Sequence, residues 1–269
     1  MKKIIAILLA LVLVLAFAGC GAKETASTGS DNQPSADNTA ATVTTVKAGK
    51  LTMATNAYFQ PYEYYDGDKI VGIDAEIAAA IAEKLGLELE IQDMAFDSII
   101  TAVQEGSVDI GLAGMTVKPD RLEKVDFSIS YANGVQVVIV PENSAITTVD
   151  DLFADGATYK AGVQLGTTGD AYASEDLGSD RVTQYPNGNE AVNALLGGDV
   201  DCVIIDNEPA KSFVANNEGL KILETTYADE DYAACIKKGN KALLEAVDKA
   251  IDELMSDGTI DGIIAKYIK

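Results

Sequence analysis

Arg121 and Asp206 are a guanidinium and a carboxylate that could grip a small dipolar molecule by its two ends. At the carboxyl ends of expected strands fall the amides Asn56 and Gln164, the aromatics Phe59 and Phe96, the segment Gly114-Met115-Thr116 and the turn Gly166-Thr167-Thr168. A carboxylate guest takes a bidentate arginine with hydroxyl and backbone N–H donors beside it. Arg121 lies in the first turn of a helix that Pro119 starts; a cation there opposes the helix dipole, and a bound anion would relieve it. An ammonium takes a carboxylate, and Asp206 closes an apolar strand, where a charge is costly unless paired. The set suits a zwitterion such as an α-amino acid.

Each residue also has a plainer use. Arg121 could pair on the surface with Asp120, Glu123 or Asp126. Asp206 could cap the helix that carries Pro209, Thr168 could be a helix cap, and Phe59 and Phe96 could be core. What weighs against these uses is that all of them gather at strand ends.

The elements that must position these residues alternate. Strands are expected at 51–56, 87–91 and 108–112, with helices at 74–85 (Asp74 as N-cap, Gly86 as stop) and 97–105 (Gly106 as stop). Asp66-Gly67, between 62–65 and 70–73, signals a hairpin. A β-branched run at 135–140 ends at Pro141. Strands at 159–163, 181–185, 202–205 and 232–236 then alternate with helices at 169–175, 190–196, 208–216, 242–255 and 260–267. Strand, helix, strand at this spacing implies parallel βαβ units. The stretch Ile100–Leu112 can be laid on Val192–Ile204: a helix end, a Gly stop, then Val-Asp opening a strand. Two such open-sheeted α/β halves would place a ligand outside the strands' carboxyl ends, in a cleft between lobes.

Composition removes other chemistry. The chain of 269 residues has no His, so no imidazole base, no Ser-His or Cys-His nucleophile pair and no His-ligated zinc are available. A net charge of −22 argues against a nucleic-acid partner. Three cysteines make neither a disulfide scaffold nor a four-cysteine metal site. No P-loop, G-x-G-x-x-G or G-x-S-x-G motif occurs, and no metal or cofactor is expected.

At the N-terminus, Met1-Lys2-Lys3 precedes an apolar run from Ile4 to Phe17, shorter than the roughly 20 residues of a membrane span. Residues 1–19 read as a signal peptide. Ala18-Gly19-Cys20 resembles a bacterial lipobox, although Phe17 departs from its usual Leu, Val or Ile; Cys20 would be lipidated, and residues 20–46, rich in Ala, Thr, Ser, Asn and Asp, would form a flexible tether. The expected location is the outer face of the cell membrane.

Several motifs agree in order: Asn56-x-x-Phe59-x-Pro61-Tyr62-Glu63, Gly72-Ile73-Asp74-Ala75-Glu76, Phe96-Asp97-Ser98-Ile99-Ile100, and Ala113-Gly114-Met115-Thr116 with Arg121 after four more residues. With Gly166-Thr167-Thr168-Gly169 and the strand ending in Asp206, residues 47–269 resemble the family 3 extracellular solute-binding proteins, polar-amino-acid receptors of ABC importers. The resemblance implies a type II periplasmic-binding-protein fold: lobe 1 at 47–135 and 235–269, lobe 2 at 136–234, and hinges near 134–140 and 229–234. It makes Arg121 the carboxylate clamp, with Thr116 beside it and Thr167 and Thr168 completing it. The Gly114 carbonyl and Asp206 would take the ammonium, and Phe59 and Phe96 would wall the side chain. Asn56 and Gln164 would set specificity; two amides favour a neutral, glutamine-like ligand, with arginine or lysine open through Glu63 or Tyr58. The partners implied are an amino acid and a membrane permease, for a monomer that is not an enzyme. A dehydratase-like enzyme on this scaffold, or a module feeding a signalling protein, is the alternative. Cys202 and Cys235, one per lobe, are expected to be buried free thiols.

Overall fold

The computed structural model describes residues 43–268; the expected signal peptide, Cys20 and nearly all of the expected tether lie outside them. The first part of the chain runs β1 (Lys50–Thr55), β2 (Tyr58–Phe59), β3 (Glu63–Asp66), β4 (Lys69–Val71), α1 (Ile73–Leu85), β5 (Glu88–Asp93), α2 (Phe96–Glu105), β6 (Ile110–Gly111) and α3 (Pro119–Leu122). A 17-residue strand, β7 (Val125–Pro141), leads into β8 (Ala161–Gln164), α4 (Thr168–Leu177), β9 (Val182–Tyr185), α5 (Gly188–Gly197), β10 (Cys202–Asp206), α6 (Asn207–Asn216) and β11 (Leu220–Ile222). Strand β12 (Ala228–Lys237) returns, followed by α7 (Lys241–Ser256) and α8 (Thr259–Tyr267).

Most strands join one α/β sheet in the order β5-β1-β6-β12-β7-β10-β8-β9, with β11 on β7. Both βαβ expectations hold. β1 pairs in parallel with β5 and β6, and β8 with β9 and β10. The long antiparallel pair β7–β12 runs between these two wings. From the sequence only the β-branched run 135–140 of β7 stood out; Ser128, Ser130 and Asn133-Gly134 are residue types that elsewhere favour turns. The partner strand changes their meaning. Ser130 donates to the Tyr232 carbonyl (3.0 Å) and Ser128 accepts from the Ala234 N–H (3.0 Å), beside two register shifts in the β7–β12 ladder.

The internal echo also holds in three dimensions. Gly106 and Gly198 end α2 and α5 in the left-handed conformation, as αL helix stops do. The aspartate of each following Val-Asp ties down the first strand of its wing. Asp109 accepts from the Thr52 N–H (2.7 Å), and Asp201 from the Lys160 N–H (2.7 Å).

Asp74 is not the N-cap of α1. Gly72 takes that place at φ 126°, and a Cβ there would lie 2.2 Å from the Tyr62 carbonyl oxygen. Helix α1 is thereby pressed onto the hairpin, with the Asp74 N–H donating to Tyr62 O (2.9 Å).

The apolar faces of α1, α7 and α8 pack on β1, β6 and β12 through Ile77, Ile81, Leu243, Val247 and Ile251. Helix α2 covers the other face of that wing through Ile99 and Val103. In the second wing, β7, β8 and β10 share a core with α4, built on Val138, Val163 and Ala173.

Cys202 and Cys235 are both buried and free, and burial pushes both thiols up to about 12. A thiol reagent should therefore leave both unmodified in the folded protein and label both after unfolding without reductant. Labelling of either in the native state would contradict this packing.

Candidate functional site

All ten residues selected from the sequence line one narrow pocket, together with Glu63 and Ala113. Asn56 follows β1, Ala113 and Gly114 follow β6, Gln164 ends β8 and Asp206 ends β10. The cavity thus sits at the carboxyl ends of parallel strands from both wings, where open α/β sheets bind ligands. Phe59 closes against Gly114, whose φ is 51°; a Cβ there would lie 2.7 Å from the phenyl ring.

Arg121 is not on the surface. Only 5% exposed, it donates from Nη1 to Thr116 O (2.8 Å) and from Nη2 to Gly166 O (3.0 Å), which ties the first wing to the second. Its guanidinium stands over the Phe96 ring, 5.5 Å from the centroid. None of the described ion pairs involves Asp120, Glu123 or Asp126 with Arg121. Burial lowers the guanidinium pKa, opposed by the charges of Asp120, Glu230 and Asp206. Helix α3 is a single turn, with Arg121 as much at its end as at its start, so the helix-dipole reasoning has no force here. The positive end of the site is the buried guanidinium itself.

Asp206 occupies the N-cap position of α6, yet its side chain makes no capping bond. It turns inward instead. Oδ2 accepts from Gln136 Nε2 (2.7 Å), and Oδ1 is buried without a partner. Burial, then the charge of Glu230, hold its pKa well above the usual carboxylate range. The cap of α4 is Thr167 rather than Thr168. The Thr167 hydroxyl accepts from the Asp170 N–H (3.2 Å) and donates to Gln164 O (2.8 Å). This leaves the first N–H groups of α4 without acceptors inside the helix.

The two amides engage each other. Gln164 Nε2 donates to Asn56 Oδ1 (2.9 Å), and Asn56 Nδ2 donates to Met94 O (2.8 Å). Asn56 is spent on protein partners, while Glu63 is wholly buried against Asp74, with no donor group reaching either of its oxygens. Burial, then the neighbouring Asp74, hold the Glu63 pKa well above its ordinary value. Asp74, also buried, accepts from the Gly114 N–H (2.7 Å) and the Tyr131 hydroxyl (2.9 Å) and is pushed up to about 6 by burial.

These raised values set a sign for stability. A carboxyl group whose pKa is higher folded than unfolded binds its proton more tightly in the native state, so its contribution is present at low pH and lost as pH rises through the folded pKa. Asp74 alone accounts for as much as about 3 kcal/mol between pH 4 and pH 7. Glu76, Glu90, Asp151 and Asp257 shift downward, and their contributions vanish only below about pH 4.5. Without added amino acid, the melting temperature should climb as pH drops from 8 to 5; a flat or opposite trend would contradict the charge state given to this site.

Sequence reasoning passed over Gln136 and Glu230. Gln136 is the one polar residue in the run Val135–Val140, a signal that was available. Glu230 sits in Asp229-Glu230-Asp231, which reads as a solvated acidic run. Only strand alternation in β12 turns Glu230 inward while its two neighbours face out.

The model of one protein family, described as bacterial extracellular solute-binding proteins, family 3, matches residues 51–269. The chain belongs to this family. Among solute-binding relatives, the arginine-binding extracellular protein ArtP of Bacillus subtilis (strain 168) is 30% identical over 99% of this chain and 98% of its own. A solved ancestral arginine-binding protein bound to glutamine superposes with a TM-score of 0.77 at 38% identity, covering 82% of this chain and 99% of that one. The ancestral amino acid-binding protein AncCDT-1, a precursor of cyclohexadienyl dehydratase, gives a TM-score of 0.74 at 31% identity over 82% and 96%. The fold is the α/β type II periplasmic-binding-protein architecture that the motifs implied. No helix among the described residues is long and apolar enough to cross a membrane.

Proposed function

We propose that this solute-binding protein captures a basic amino acid, arginine or lysine, and presents it to the permease of an ABC importer. One observation carries this reading. One pocket is lined by the buried Arg121 guanidinium from one wing and the unpartnered Asp206 oxygen from the other, with the buried Glu63 carboxyl lining it too. Arg121, the Thr116 wall and the free N–H groups of α4 take the α-carboxylate. Asp206 and the Gly114 carbonyl take the α-ammonium. Glu63 takes the cationic tail between Phe59 and Phe96. The relative named for arginine supports the same choice, whereas the ancestral arginine-binding protein is solved with glutamine bound.

A glutamine-like neutral ligand is the second reading. It is favoured by the amides Asn56 and Gln164, and by Glu63 and Asp74 if they share a proton and make that wall neutral.

In this mechanism residues 47–135 with 235–269 form one lobe and 136–234 the other, hinged on β7 and β12. The ligand contacts both lobes and so favours the closed state. Closure expels water and strengthens the charged hydrogen bonds. No covalent step is involved, and the protein is a receptor rather than a dehydratase. Lipidation of Cys20 holds a monomeric body near the membrane through the tether.

A thermal-shift screen of the common amino acids tests the reading. Ligand at 100 times its dissociation constant adds about 2.7 kcal/mol, so arginine or lysine should raise the melting temperature by several degrees. No shift with any amino acid would overturn the assignment.

A further inference from the structure

The Asp206 carboxylate is held from behind by a polar chain that crosses both central strands. Gln136 lies directly opposite Asp206 in the β7–β10 ladder. Its Nε2 is 2.7 Å from Asp206 Oδ2, 3.0 Å from Glu230 Oε2 and 3.4 Å from Thr168 Oγ1. An amide nitrogen has two hydrogens, and the two shortest contacts go to the two carboxylates. Glu230 Oε2 also accepts from the Thr116 hydroxyl at 3.0 Å. Thr116, Glu230, Gln136 and Asp206 therefore form one continuous line from the wall beside Arg121 to the acid facing it. Gln136 is wholly buried and Glu230 nearly so, and neither lines the cavity. They stand behind the lining residues.

We infer that Gln136 and Glu230 are positioning residues for ligand binding: pinned between two carboxylates, the Gln136 amide fixes the Asp206 rotamer so that the unpartnered Oδ1 faces the α-ammonium. This rests on the amino-acid reading above. An Asp206 without this bond is free to rotate into the N-cap of α6, the ordinary use of an aspartate at that position. The arrangement also has a cost that mere packing would not justify. Gln136 Oε1 is itself left buried without a partner, a penalty that an apolar residue at this place in a β-branched strand would not carry.

The test is calorimetric titration of wild type, Gln136→Met and Gln136→Asn with L-arginine and with δ-guanidinovalerate, its analogue lacking the ammonium. Methionine keeps the length and removes the donor; asparagine keeps the amide but withdraws it, and serves if the methionine variant does not fold. L-Arginine affinity should fall at least about tenfold in either variant, while the analogue stays within about twofold of its wild-type value. In an Asp206→Asn background, Gln136→Met should weaken L-arginine by less than about twofold more. Equal losses for both ligands, undiminished L-arginine binding, or full additivity with Asp206→Asn would overturn the inference. Wild type that binds neither compound would instead overturn the basic-ligand reading on which it rests.

Discussion

Arg121→Ala should abolish amino-acid binding at micromolar ligand while leaving a folded protein. Removing one partner of a buried, hydrogen-bonded charge pair costs about 2–5 kcal/mol, a loss of roughly 30-fold to several-thousand-fold in affinity. The fold should survive because two effects oppose each other. The Thr116 and Gly166 carbonyls lose their donor, but a buried cation that is costly to desolvate also disappears. Arg121→Lys should not restore binding. An ammonium is a point charge, and it cannot span two carbonyls on different wings while presenting a fork to a carboxylate. Titration calorimetry beside a thermal melt reads both quantities. Affinity unchanged in the alanine variant would remove the carboxylate clamp.

Glu63→Gln should separate the two ligand readings. The substitution keeps shape and removes the charge facing the tail, so arginine and lysine affinity should drop by about 2 kcal/mol or more, roughly 30-fold. Glutamine should change by no more than about threefold. The unliganded variant should also be more stable near neutral pH than wild type, because a buried carboxyl set against Asp74 is replaced by a neutral amide that needs no proton to sit there. Its melting temperature should depend less steeply on pH, since the Glu63 contribution described above is gone. Arginine binding that survives intact would place the cationic tail elsewhere, and tight glutamine binding by wild type with none for arginine would favour the neutral reading.

Much of this was legible in the residues. Parallel βαβ units follow from strand–helix spacing, and the helix stops at Gly86, Gly106 and Gly198 follow from the ease with which glycine adopts positive φ. The gathering of Asn56, Gly114, Gln164 and Asp206 in one cavity follows from the same topology, because parallel strands put their carboxyl ends on one edge. Side-chain direction was less legible. Asp206, Asp74 and Thr168 all stand near helix starts, where capping is a reasonable expectation, yet Asp206 turns to Gln136, Asp74 turns to Gly114 and Tyr131, and Thr167 does the capping.

The sequence by itself determined the fold class, the family and the cast of the site, because these depend on periodicity and on the order of short motifs along the chain. The tertiary structure alone decided how the cast is employed. It gave Asn56 and Gln164 to each other, left Glu63 and one oxygen of Asp206 free, and brought Glu230 out of an acidic run to stand behind Gln136. Such pairings join residues scores of positions apart, and a buried donor takes the nearest acceptor in space, which no local pattern encodes.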